Sequence, residues 1–179
     1  MHPCPAIGLL AHSPNDAPRE RNGPPALSRQ ESQRPGVSQF WSQQKPPLPV
    51  ETLLAGGFRF AGRWMQSVTD GLVPDRALPK EKGVYGFVKN GVVLYVGLAT
   101  MGLAKRLYFY GKPGASQLTN IRLNGLIRGE LLTASVIEIY IAEPPDLEWN
   151  GLPVHGSAGL ELGLIKKYAL PWNVRSASN

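Results

Sequence analysis

Gly83-Val84-Tyr85-Gly86-Phe87-Val88-Lys89-Asn90-Gly91-Val92-Val93-Leu94-Tyr95-Val96-Gly97 reads as two short strands joined at Asn90-Gly91. β-Branched and aromatic residues fill both halves, and a tyrosine stands near the outer end of each. Glycines flank both tyrosines. Glycine weakens a strand, so their presence suggests close approach of another group to the backbone. The turn decides what the tyrosines can do. A two-residue Asn90-Gly91 loop would send Tyr85 and Tyr95 to opposite faces, because side chains alternate. A three-residue loop, Lys89-Asn90-Gly91 with Gly91 left-handed, pairs Tyr85 with Tyr95 on one face. The three-residue loop is the expectation, because it lets both hydroxyls share a site.

Outward from this hairpin, composition narrows the class. The formal charge is +6 and the pI about 9.6. Such a balance favours an acidic partner, nucleic acid first and a membrane surface second. The single cysteine, Cys4, excludes an internal disulfide and a cysteine-cluster metal site. His2 and His12 lie far in sequence from His155, so no histidine cluster is visible. Ala6-Ile7-Gly8-Leu9-Leu10 is too short for a signal core, and no apolar stretch could span a bilayer. The expected location is cytoplasmic.

Residues 1–49 are rich in Pro, Ser, Gln and Arg and poor in aromatic and aliphatic residues. Such a stretch cannot bury enough apolar surface to offset its ordering entropy, and disorder is expected. It is a non-functional extension, a mis-assigned start, or a nucleic-acid-binding arm through Arg19, Arg21, Arg29 and Arg34. Residues 50–79 read as a short β extension and linker. Phe58, Phe60 and Trp64, with Arg59 and Arg63 between, form a strand; Asp70-Gly71 offers a turn and Leu72-Val73 a partner. Pro74 to Lys82 is a loop. Residues 80–175 hold the main domain. A helix is expected from Gly102 to Tyr110, with Leu103, Leu107 and Tyr110 on one face and Arg106 at its edge. A second runs from about Ser116 to Leu132. Thr133 to Ala142 is the third strand, residues 146–158 a long loop, and a last helix runs from about Ala158 to Tyr168. The fold class is α/β: a small antiparallel three-stranded sheet flanked by helices.

On the last helix Leu160, Leu164, Ile165 and Tyr168 share a face, with Glu161 among them. A carboxylate buried there needs a cation, either a side chain or a metal; the plainer reading is an edge glutamate paired with a lysine. Arg106 is either a surface arginine or a fork for an anion. Tyr85, Tyr95 and Tyr110 can equally be core aromatics.

Gly83-Val84-Tyr85 and Tyr95-Val96-Gly97 resemble the two triplets that name the GIY-YIG nucleases, and the likeness extends over roughly the last hundred residues. Leu103-Ala104-Lys105-Arg106-Leu107 resembles the stretch carrying that family's arginine, and Tyr110 falls where the family often has Tyr or His. Glu161 to Tyr168, followed by Pro171-Trp172-Asn173, resembles its metal-binding helix and structural asparagine. The resemblance implies Tyr85, Tyr95, Arg106, Tyr110 and Glu161 as catalytic residues, with Gly97 and Asn173 as structural support. It makes Glu161 the sole protein ligand of a divalent metal. A single carboxylate plus waters suits Mg²⁺ or Mn²⁺. Two departures stand out: Leu98 replaces a lysine that many relatives carry after the second triplet, and one extra residue separates Gly97 from Arg106 relative to repair-type members. The second helix and the Trp149-Asn150-Gly151 loop look more like free-standing, restriction-like members.

A phenol at its ordinary pKa is ionised to only about a thousandth at neutral pH, so a tyrosine base needs nearby positive charge. Tyr85 is the first choice for general base and Tyr95 the second. Lys105, Lys112, Arg122, Asn124 and His155 are candidate nucleic-acid contacts, the last three with ordinary structural readings beside. The leading expectation is a metal-dependent DNA endonuclease, with DNA preferred over RNA and strong sequence specificity calling for a homodimer or for the loops. The alternatives are a non-catalytic nucleic-acid-binding module on the same fold, and a basic interaction domain without nucleic acid.

Overall fold

The computed structural model describes residues 45–69 and 71–173. The tail before Lys45, including its arginines, and Asp70 of the expected turn lie outside the described residues.

The hairpin at the centre is β3 (Gly83–Lys89) and β4 (Val92–Ala99). Lys89 pairs with Val92, so the turn is the two-residue Asn90-Gly91 and not the three-residue loop expected. Both turn residues are left-handed, at φ 49° and 75°. Asn-Gly tolerates that conformation, and the resulting primed turn matches strand twist. The tyrosines nevertheless reach one face. Val88 pairs with Val93 but Phe87 with Tyr95, so Leu94 is an extra residue, a β-bulge. The bulge reverses the parity set by the turn. Tyr85 then lies opposite Gly97, and Phe87 opposite Tyr95.

The sheet is larger than the three-stranded one expected. β1 (Arg59–Ser67) and β2 (Gly71–Pro74) join β3, β4 and β5 (Glu138–Ala142) in five antiparallel strands, ordered β2-β1-β5-β3-β4. The segment taken for a separate β extension is thus part of the main sheet, because Arg59 to Arg63 pairs with the free edge of β5. The strand expected over 133–142 shortens to β5.

Helices cover both faces. α2 (Leu103–Gly111) and α3 (Leu118–Leu132) pack Leu103, Leu107, Tyr110, Leu123 and Ile127 against Tyr85, Phe87, Tyr95, Ile139 and Ile141. On the other side α1 (Val50–Ala55) and α4 (Gly156–Lys167) cover Val84, Val88, Val93 and Val96, with Leu53, Leu160, Leu164 and Ile165 in the contact. β3 is therefore buried on both faces, which explains its nearly unbroken apolar sequence.

α1 was not foreseen, and the start of the folded region was placed too late. Leu48 is fully buried. Its carbonyl accepts the Val93 N–H at 2.9 Å, Val50 N–H donates to Gly91 O at 2.8 Å, and Ala169 N–H donates to Pro46 O at 2.8 Å. Residues 45–49 of the expected tail thus belong to the fold. The expected long loop over 146–158 contains a small hairpin, β6 (Leu147–Trp149) and β7 (Leu152–Val154), turning at left-handed Asn150 and Gly151. Among the described residues, no helix is long and apolar enough to cross a membrane.

Candidate active site

Three phenol hydroxyls meet between the hairpin and α2. Tyr85 comes from β3, Tyr95 from β4 and Tyr110 from the last turn of α2. The Tyr85 and Tyr110 oxygens are 2.6 Å apart, a contact either hydroxyl can donate. Tyr110 also points its hydroxyl at Tyr95, at a longer 3.3 Å. Phe87 packs among all three rings, stacked on Tyr95 with centroids 5.5 Å apart. Gly97 makes the cluster feasible. A Cβ there would fall 2.4 Å from the Tyr85 oxygen and 2.8 Å from the Tyr95 ring. At Gly97 the close approach is that of the tyrosines themselves, whereas a Cβ at Gly83 would meet Ala142 O and one at Gly86 the Leu53 side chain.

Arg106 lies one turn before Tyr110 on α2, so both reach the same place. Its Nη2 donates to the Tyr110 oxygen at 2.8 Å, and its guanidinium carbon sits 4.6 Å from the Tyr110 ring centre. Its Nη1 donates to Asn120 Oδ1 on α3, at 2.8 Å. Burial opposes the charge on Arg106, but the three phenols outweigh it and raise the guanidinium pKa further. The converse help is insufficient. Burial, seconded by Tyr95, pushes the Tyr85 phenol far above its ordinary range, and Arg106 with the Tyr110 hydrogen bond offsets only part. Tyr110 is raised in the same way, by burial first. Tyr85 and Tyr110 are fully buried, whereas Tyr95 retains 7% exposure. The expected first choice of base, Tyr85, thus has an inaccessible, hard-to-ionise hydroxyl.

Glu161 sits on α4, half-buried beside the outer edge of β4. Burial raises its carboxyl pKa; a hydrogen bond from the Leu98 backbone N–H and the charge of Arg106 pull partly the other way. Its carboxyl thus lies at the outer edge of β4, within electrostatic reach of Arg106. Asn173 caps the neighbouring edge: it accepts from Val96 N–H at 2.9 Å and donates to Val96 O at 2.8 Å. Leu98 supplies its backbone N–H to the glutamate.

The remaining candidates divide. Lys105 and Lys112 stand exposed along α2, with Lys112 Nζ 5.9 Å from the exposed Tyr108 ring. Arg122 donates to Trp172 O at 2.6 Å, and Asn124 to Tyr110 O at 2.6 Å. Both tie segments of the fold together. His155 precedes α4, with Nδ1 3.3 Å from Asp146 Oδ1; that oxygen also accepts the Gly156 N–H at 3.0 Å. Asn120 and Gln117 were missed. Two amides three residues apart at the start of a helix are the only trace they leave in sequence, and it means nothing until Arg106 has been placed opposite.

Among the described residues no three His, Cys, Asp or Glu side chains gather as a metal site. The expected ligand is a single carboxylate. Glu161 fits that role: a hard oxygen donor whose half-burial disfavours its charge is restored to the carboxylate by a cation.

No family model matches the chain, and no curated protein matches it. Solved structures do. A variant of bacteriophage T4 EndoII aligns with a TM-score of 0.54 at 17% identity, covering 70% of this chain and 98% of the other. The restriction endonuclease HPY188I, in complex with product DNA, aligns at 0.40 and 14%, covering 69% and 79%. The chain shares the fold of T4 EndoII: a mixed α/β architecture with helices flanking an antiparallel sheet.

Proposed function

We propose that this chain is a divalent-metal-dependent endonuclease that hydrolyses DNA phosphodiester bonds, a member of the GIY-YIG nucleases. The observation that carries the reading is the convergence of Tyr85, Tyr95, Tyr110 and Arg106 on one hydrogen-bonded cluster; the half-buried Glu161, whose charge Arg106 favours, supports it. The fold shared with T4 EndoII and the basic charge support it. Glu161 would hold Mg²⁺ or Mn²⁺, and the ion would supply Lewis-acid stabilisation of charge on the phosphate and leaving oxygen.

The chain's own residues do the rest. Arg106 presents a planar, permanently charged fork to the phosphate as negative charge accumulates in the transition state. Tyr95, the least buried of the three clustered phenols, orients the attacking water and, when it stands as the phenolate beside Arg106, takes the water proton and becomes the neutral phenol. Tyr85 and Tyr110 hold that network in place rather than ionising. Lys105 and Lys112 contact the phosphate backbone along α2. Cleavage of supercoiled plasmid in Mg²⁺ or Mn²⁺, stopped by chelator and slowed about 10²- to 10³-fold in Arg106→Ala, tests the reading. Absence of any metal-dependent nicking sinks it.

One observation favours a second reading. Glu161 already caps the Leu98 N–H, and the hydroxyls of Tyr85 and Tyr110 are sealed from solvent. A nucleic-acid-binding module that keeps this fold for its shape alone would show both features. It would bind DNA with salt dependence and never cut it.

A further inference from the structure

Asn120 is a polar side chain only 5% exposed, at the start of α3, and the chemistry above makes no use of it. Its Oδ1 accepts from Arg106 Nη1 at 2.8 Å. Its Nδ2 donates to Gln117 Oε1 at 2.9 Å, and the Gly114 backbone N–H donates to that same oxygen at 3.1 Å. These bonds admit one orientation. A backbone N–H can only donate, so it selects the oxygen of Gln117. That oxygen, with two lone pairs, then faces a donor on Asn120, which is Nδ2. Asn120 Oδ1 is left for Arg106, which can only donate. The amide is thus oriented from both ends by groups with no alternative role.

At Arg106 the two anchors come from different helices: Tyr110 on α2 takes Nη2 and lies under the guanidinium, while Asn120 on α3 takes Nη1. Without Asn120 the guanidinium would be held from the phenol side alone, and its Nη1 corner would lose its hydrogen bond. We propose that Asn120, oriented by Gln117, is the positioning residue for Arg106, locking the guanidinium plane so that its fork meets the phosphate. Its catalytic consequence rests on the nuclease reading; the locking itself does not.

Two measurements on the full chain separate these. In nitrogen-15 NMR of arginine side chains, wild-type Arg106 is expected to give distinct Nη resonances, the sign of a guanidinium that does not rotate. Asn120→Ala should merge them. An averaged signal in the wild type, or distinct signals retained in Asn120→Ala, overturns the proposal. In plasmid nicking with Mg²⁺ or Mn²⁺, Asn120→Ala should lower kcat about 10- to 100-fold, the scale of a misplaced catalytic group, with KM little changed. In an Arg106→Ala background the same substitution should cost less than about twofold, because Asn120 acts only through the arginine. An equal loss in both backgrounds would show a general structural role instead. Gln117→Leu frees the Asn120 amide without removing it and should give a smaller loss of kcat and partial merging of the Nη signals. It serves both measurements if Asn120→Ala fails to fold. If the wild type never cuts, the nuclease reading falls and the NMR result alone decides the positioning.

Discussion

Tyr110 is the residue on which the cluster turns. Its oxygen meets Tyr85 and Arg106, and its proton points at Tyr95. Tyr110→Phe should cost more than Tyr85→Phe. Losing the Tyr85 hydroxyl breaks its 2.6 Å bond to Tyr110, about 0.5–1.5 kcal/mol, whereas losing Tyr110's breaks that bond together with those to Arg106 and Tyr95, about 1–3 kcal/mol. Equal melting temperatures for the two variants would contradict this. Both phenols have pKa values raised by burial, so the folded chain holds their protons more tightly than the unfolded chain. That contribution is intact below the ordinary phenol pKa of about 10 and is lost as pH climbs above it. Glu161 follows the same sign at lower pH. Its raised carboxyl pKa favours the fold while the group is protonated, and the advantage fades as pH rises through the folded pKa. Glu161→Gln keeps an acceptor for Leu98 N–H without the charge. It should melt above the wild type at neutral pH, with the gap closing towards acid pH. Added Mg²⁺ should raise the melting temperature of the wild type but not of Glu161→Gln. A gap that does not change with pH would remove Glu161 as its source.

At the scale of elements, β4 is an edge strand whose outer side is covered along its length. Val93 N–H is taken by Leu48, Leu94 O by Trp172 N–H at 2.8 Å, Val96 by Asn173 and Leu98 N–H by Glu161. An uncovered edge would be a template for another chain. Here the same contacts hold the strand that carries Tyr95 and Gly97. Gly97→Ala should cost roughly 1–3 kcal/mol, because the new methyl falls inside the Tyr85 hydroxyl's contact distance and the ring must move. Urea denaturation reads it, and a cost near zero would show that the ring moves freely.

Helices α2 and α4 were legible because Leu103, Leu107 and Tyr110, or Leu160 and Leu164, repeat at helical spacing. The shared face of the tyrosines was legible too, though the route to it was not. Asn-Gly specifies its own turn, but a bulge at Leu94 has no local signature; it is set by partners on both sides of the strand. Asn120 was illegible for a similar reason, its role existing only across a helix pair.

At the scale of the molecule, the sheet is sealed on both faces, and the first described residues close one of them. Leu48 and Val50 pack on the face that α4 covers. A chain beginning at residue 50 should therefore melt below one beginning at residue 45. Burying one leucine is worth about 1.5–3 kcal/mol, and the two chains differ by Leu48 with its strand contacts and by the bonds of Pro46 O with Ala169 N–H and of Lys45 with Ile165 O. Matching melting curves would contradict that. The sequence pattern placed this boundary too late because Lys45-Pro46-Pro47-Leu48-Pro49 looks like linker. Its prolines sit where few N–H donors are needed, at bridges to Ala169 and Val92.

The central claim is that Glu161 is the metal ligand of a nuclease rather than only a cap on β4. Plasmid nicking by Glu161→Gln, beside its DNA binding and melting curve, tests it most directly. The amide is isosteric and still accepts the Leu98 N–H, but it is a poor ligand for a hard divalent ion. Removing a negative charge near the phosphate path should leave DNA affinity equal or higher. The expected result is a folded protein that binds DNA and does not cut it in Mg²⁺ or Mn²⁺. A folded Glu161→Gln that nicks at the wild-type rate would contradict the account.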